Sequence, residues 1–233
     1  MLLYYVRHGE PIYNPDSLTE NGKEQAVALS CRLARYGLDE IYASTSNRAR
    51  QTAQPTAEAL GREVTLLDFA NEGHAWRALS FEENGRRLWP FQSHATRKRF
   101  SEPDVTAAGF DWYKLPDLAW CEEGVTRIAR EADAFLSSLG YEHIVGTGSY
   151  RVREKNERRV ALFAHQGFGM VFLSHLLDIP YPAFCVRFDL LHSGLTVIRF
   201  HEEDGLAFPK VLTLSNDAHL YEGDVPLSYY EPF

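Results

Sequence analysis

The chain has 233 residues, 45% of them hydrophobic, and a formal net charge of -8. That length suits one large α/β domain or a domain carrying an inserted cap. The acidic balance argues against non-specific binding to nucleic acid or to an anionic membrane, because both call for a basic face.

Cys31, Cys121 and Cys185 are odd in number, and their spacing fits neither a zinc nor a redox pattern, so a reducing compartment is expected. Met1 to Val6 is too short and lacks the charged start of a signal peptide, and no stretch approaches a membrane-spanning length. A cytoplasmic protein, monomer or homodimer, is the expectation.

Leu2 to Val6 is a short apolar run and reads as a buried strand ending at Arg7-His8-Gly9. Thr19 caps a predicted helix from about Glu20 to Tyr36, stopped by Gly37. Its Ala26, Leu29 and Leu33 recur at helical spacing. Ile41 to Ala43 reads as a second strand. Asn47 is expected to cap a helix towards Leu60, with a kink or early break at Pro55. Val64 to Leu67 is a third strand. From about 73 to 120 the chain crowds four tryptophans (Trp76, Trp89, Trp112, Trp120) among charged residues, which suggests an inserted aromatic-rich cap. Glu122 to Leu139 returns to amphipathic helix. A charged surface loop or hairpin is expected at about 142–158. Val160 to Ala164 is a buried strand ending at His165-Gln166-Gly167, and Phe168 to Leu177 is an apolar helix. Leu195 to Phe200 and Lys210 to Leu214 are late strands, read as an antiparallel pair. Strands alternating with helices imply an α/β three-layer sandwich, with a mostly parallel central sheet and helices on both faces, here as a single domain. Ligands of such sheets sit beyond the carboxyl ends of the strands, where His8 and His165 both fall.

Arg-His-Gly after a first strand has a chemical logic. Arginine offers a planar fork that matches phosphate oxygens. Glycine allows close approach of a backbone. A histidine held neutral among cations has a nitrogen free to attack phosphorus.

Several motifs in order carry a resemblance. Arg7-His8-Gly9-Glu10 resembles the signature of the histidine phosphatase superfamily, the phosphoglycerate mutase-like family. Leu18 to Ala26 and Ser44 to Ala53 resemble its next two motifs, and Ala70-Asn71-Glu72 falls where that family carries an acidic proton donor. The resemblance implies His8 as nucleophile and Arg7, Asn14, Arg48 and His165 as phosphate ligands, with Gln166 beside them. It implies Glu72 as general acid and His165 as the second catalytic histidine. It also implies a small phosphorylated substrate, no cofactor and no metal. Asp68 competes with Glu72 as donor, and Arg50 with Arg48 as phosphate ligand. The chain departs from the family at Gln166, where glycine is usual, and at Trp76, which takes a glycine's place. The short stretch from Gly9 to Leu18 favours a hydrolase over a mutase, and a catalytically inactive phosphate-binding module is the third reading. Arg97-Lys98-Arg99 reads as a solvated face or as the receiver of a second anionic group. His74, His175, His192 and His219 show no metal-ligand spacing.

Overall fold

A computed structural model describes residues 1–226. Strand β1 (Leu2–Arg7) leads into a small hairpin of β2 (Pro11–Tyr13) and β3 (Asp16–Leu18). Helix α1 (Glu20–Tyr36), β4 (Glu40–Ser44), α2 (Asn47–Leu60) and β5 (Val64–Leu67) follow. The insert contains α3 (Glu72–Leu79), the hairpin β6 (Phe81–Glu83) and β7 (Arg86–Leu88), then α4 (His94–Phe100) and α5 (Pro103–Ala108). Helix α6 (Glu122–Ser138), β8 (Tyr141–Ile144) and β9 (Ser149–Val152) lead to β10 (Arg159–Ala164) and α7 (Gln166–Leu176). Last come α8 (Tyr181–Cys185), β11 (Leu195–Glu203), β12 (Leu206–Asn216) and α9 (Ala218–Glu222).

Eight strands form one sheet in the order β5-β4-β10-β1-β11-β12-β9-β8. The run β5-β4-β10-β1 is parallel, and the remaining pairings are antiparallel. The expected loop at 142–158 holds the hairpin β8–β9 that closes one sheet edge.

Alternation along β1 explains the two helical layers. Leu3 and Tyr5 face a core shared with α6, α7 and the insert. Tyr4 and Val6 face a second core built with Leu29 and Leu33 of α1 and Ala53 and Ala57 of α2. Both faces of the central strands are dry, so these strands read as continuous apolar runs.

Thr19 caps α1 as its sequence suggests, accepting from the Gly22 amide. The start of α2 differs from expectation. Ser46 occupies the cap position without a side-chain capping bond, and Asn47 is already helical. Asp16 of the hairpin supplies the missing acceptor instead, taking the Asn47 amide at 2.7 Å. Helix α2 runs unbroken through Pro55 to the left-handed Gly61. Its packing against α1 and the sheet outweighs one lost backbone bond.

Trp89, Phe91, Phe100 and Trp112 of the insert are buried in the core. Phe100 and Trp112 pack on Tyr181 of α8, with centroids 6.0 and 5.6 Å away. Trp89 lies against Gly167, where an added Cβ would fall 2.4 Å from the indole. The insert is therefore clamped onto the first turn of α7.

Candidate active site

A cleft of about 1180 Å³ opens at the carboxyl ends of the parallel strands. Its walls include Arg7 and His8 at the end of β1, Ser46 and Arg48 at the start of α2, Glu72 on α3, and Gln166 on α7. Trp76, Arg86, Arg87 and Trp89 line it from the insert, and His192 from the loop before β11.

His8 is 3% exposed. Its Nδ1 lies 2.7 Å from the Gly9 carbonyl oxygen, which accepts, so Nδ1 carries the proton. Nε2 is then the bare nitrogen, and it accepts from Arg48 Nε at 3.2 Å. Burial pushes the His8 pKa well below the usual imidazole value, and His165, Arg7 and Arg48 add to the shift. The ring is neutral, its tautomer set by a backbone oxygen.

Gly9 has a reason different from the anticipated approach to an anion. A Cβ there would fall 2.6 Å from the Gly22 carbonyl oxygen, and its amide donates to Thr52 Oγ1. Glycine lets the loop after β1 lie directly on the first turn of α1. Glu10 reinforces this junction, accepting from Thr19 and Asn21.

Arg7 donates to the Leu190 carbonyl through Nη1 and to His192 Nε2 through Nη2, at 2.5 and 2.7 Å. Its Nε is buried and has no partner among the described residues. A buried donor left unpaired costs free energy unless a ligand supplies the acceptor. Burial and the Arg7 charge depress the His192 pKa to about 3, so that ring stays a neutral acceptor.

Arg48 donates to Asp16 Oδ1 at 2.7 Å and to His165 Nδ1 at 3.2 Å, and its guanidinium lies over the Tyr13 ring. His165 is completely buried and does not line the cleft. Its Nδ1 accepts from Arg48 and its Nε2 donates to Ser44 Oγ at 2.8 Å, so both nitrogens are engaged. The ring stands 5.1 Å from His8 and orients Arg48 from below. Burial, then Arg48 and Arg7, hold its pKa well below normal.

Glu72 accepts the amides of Gly167 and Phe168, both at 2.9 Å. A carboxylate is favoured at a helix N-terminus. Burial nevertheless dominates and raises the Glu72 pKa, while the two amides, Arg48 and Arg7 pull the other way. Asp68, the competitor, bonds to His74 and Thr45 and is absent from the cleft walls.

Not every expected residue meets here. Asn14 is exposed at the tip of the β2–β3 hairpin and does not line the cleft. The hairpin presents Asp16 and Tyr13 in its place. Arg50 is likewise exposed and outside the cleft, whereas Arg48 lines it. Gln166 lines the cleft and donates to Asp189, which lines it too. The basic run Arg97-Lys98-Arg99 also lies elsewhere, and Arg99 is spent on Asp104 and Asp117. The second basic group at the cleft is Arg86 and Arg87 on β7. Asp16 and His192 form the least foreseeable part of the site. Their roles come from contacts distant in sequence, and neither carries a local motif.

Two histidines and two arginines thus converge at the strand ends of a mixed α/β sheet. The family model of the histidine phosphatase superfamily (branch 1) matches residues 3–113 of the chain. It is 25% identical to an adenosylcobalamin/alpha-ribazole phosphatase of Salmonella typhi over 189 residues, 77% of this chain and 81% of the relative. It is 36% identical to a probable phosphoglycerate mutase of Erwinia tasmaniensis over 73 residues, 28% of this chain. The chain spans only about a third (34%) of that relative's length. The alpha-ribazole phosphatase structure from Shigella flexneri superimposes with a TM-score of 0.60 at 17% identity, covering 93% of this chain and 97% of that one. A likeness at that identity speaks to the fold.

Proposed function

We propose that this protein is a phosphomonoester hydrolase working through a phosphohistidine on His8. The observation that carries the reading is the His8 tautomer. A proton fixed on Nδ1 by the Gly9 carbonyl leaves Nε2 bare beside two arginines. Nε2 attacks phosphorus in line, forming the N–P bond as the ester oxygen leaves. Arg7, with its unpaired Nε, and Arg48 neutralise the non-bridging oxygens. Glu72 protonates the leaving oxygen, then takes a proton from the water that hydrolyses the phosphohistidine. His165 is a positioning residue that holds Arg48. Splitting one displacement into two easier steps needs no metal when side chains supply the positive charge.

The substrate proposed is a small phosphorylated metabolite whose organic part meets Trp76, Arg86 and Arg87. The two alpha-ribazole phosphatases above make phosphorylated ribosides a sensible member of a screening panel. The mutase relatives favour a second reading, phosphoryl exchange within one substrate, which a requirement for a bisphosphate activator identifies.

The test is turnover of a nitrophenyl phosphate, with acid-unstable, base-stable phosphate trapped on the quenched protein. His8→Ala is expected to lose both signals, with turnover falling at least 10³-fold while the melting temperature stays near wild type. A variant keeping a tenth of wild-type turnover refutes His8 as nucleophile.

A further inference from the structure

At the far end of α7 from the cleft, three metal-binding side chains converge from three elements. Asp133 comes from α6, His143 from β8 and His175 from α7. Asp133 Oδ1 lies 2.9 Å from His143 Nδ1 and 2.8 Å from His175 Nε2, and the two nitrogens are 3.3 Å apart. Four ligands around zinc at its usual bond lengths are separated by roughly 3.3 Å, so this triangle already has nearly the size of one coordination face.

The surrounding bonds favour a cation at its centre. His143 Nε2 donates to Asp178 Oδ2 at 3.1 Å, and that carboxylate also accepts the Gly148 amide at 2.7 Å. With its proton committed to Asp178, a neutral His143 turns the bare lone pair of Nδ1 towards the Asp133 carboxylate. Two acceptors at 2.9 Å repel unless a proton or a metal ion lies between them, and the nearby His175 nitrogen supplies the third ligand that a metal ion needs. A carboxylate behind the remote nitrogen of a histidine is also the arrangement that orients metal-bound imidazoles. The His143 side chain is only 1% exposed, and its ring is stacked on Tyr150 with centroids 4.4 Å apart. The pocket for the ring is therefore built rather than incidental. Asp133 is a third exposed, which leaves an entry path and room for a water as fourth ligand.

We propose that Asp133, His143 and His175 form a zinc site, with Asp178 fixing the His143 tautomer. Two imidazoles and one carboxylate suit zinc among the common divalent ions, and suit magnesium or calcium poorly. The ion ties α6 and α7 to the hairpin that closes the sheet edge. Gln166 and His175 are nine residues apart on one helix, about 14 Å along its axis, so the ion takes no part in the phosphoryl chemistry. Its effect is on stability.

The experiment uses the full chain without a histidine tag, stripped with chelator and titrated with zinc chloride by calorimetry and by thermal melting. One zinc per chain is expected, with a melting temperature raised on the order of 5 °C at saturating ion. His175→Gln and Asp133→Asn are each expected to weaken this binding at least tenfold and to abolish the melting shift. Nitrophenyl phosphate turnover of both variants in chelator stays at the wild-type level. His8→Ala is expected to keep the zinc, which separates this site from adventitious binding in the phosphate cleft. If His175→Gln does not fold, Asp133→Asn alone decides, since its side chain is at the surface. Absence of stoichiometric zinc binding, or binding that both variants retain, overturns the proposal.

Discussion

Glu72 must meet two opposing demands. To protonate a leaving alkoxide it must hold a proton near working pH, yet two amides and two arginines favour its ionised form. Burial prevails and the pKa is raised. Neutral His8 is needed at the same time, and its pKa is depressed. The nucleophile is therefore competent above a pH that lies below the ordinary imidazole value. The acid is competent below a pH that lies above the ordinary carboxyl value. The two windows overlap in an acidic to neutral optimum. A nitrophenolate leaves with little help, whereas an alkoxide needs the proton. Glu72→Gln is expected to slow alkyl phosphate hydrolysis roughly 10²-fold or more, and nitrophenyl phosphate hydrolysis far less. Asp68→Asn, at a side chain 74% exposed, is expected to change neither by more than twofold. Steady-state rates on both esters decide, and the reverse pattern assigns the donor to Asp68.

Two tryptophans of the insert differ in burial. Trp76 lines the cleft and meets Trp89 edge-on with centroids 5.0 Å apart. Trp89 is 7% exposed, stacks on Phe91, and covers Gly167 at the start of α7. Trp89→Ala removes a core side chain and is expected to cost about 3–5 kcal/mol of stability, measurable by denaturant unfolding. Trp76→Ala leaves that core in place. It is expected to fold stably and to change the relative kcat/KM among phosphate esters of different size, with less effect on inorganic phosphate affinity. Equal changes on every ester remove the insert from substrate selection. The same segment illustrates what sequence reveals. Runs such as Leu2 to Val6, or Leu29 and Leu33 on α1, carry their own period, so strands, helices and layers are legible. Arg7, His8 and Arg48 are legible because a local motif surrounds them. The hairpin's Asp16 is not, because its meaning lies in Arg48 and Asn47, about thirty residues away in sequence. Asn14, placed by analogy, sits exposed at the tip of a short hairpin and outside the cleft lining. Asp133, His143 and His175 show no ligand spacing because three separate elements deliver them.

Across the whole molecule the buried histidines act together on stability. Burial lowers the pKa of His8 and His165 well below 6.5, that of His192 to about 3, and that of His219 to about 4. All four remain neutral in the fold, while the unfolded chain protonates them near pH 6.5. Above that pH both states bind the same number of protons, and the contribution of these groups is complete. As pH falls below 6.5 the unfolded state takes up protons that the native state refuses, so stability is lost. The loss grows until each folded pKa is reached, near pH 4 for His219 and near pH 3 for His192. Two groups oppose this trend. Burial raises the Glu72 pKa, so its contribution is greatest at low pH and falls as pH rises through the folded value. Burial alone would lower the His143 pKa, but Asp133 and Asp178 beside it raise it, with the same sign as for Glu72. Four depressed histidines against these two make acid the destabilising direction. The melting temperature in chelator is expected to fall steadily from pH 6.5 to pH 4.5. His219 is buried outside the cleft and bonds to Ser193 Oγ at 3.0 Å. His219→Gln keeps a hydrogen-bonding amide near that hydroxyl and removes one titration. Its melting temperature is expected to fall less steeply over the same range, with turnover near wild type. An identical slope in the two proteins removes His219 from the acid response.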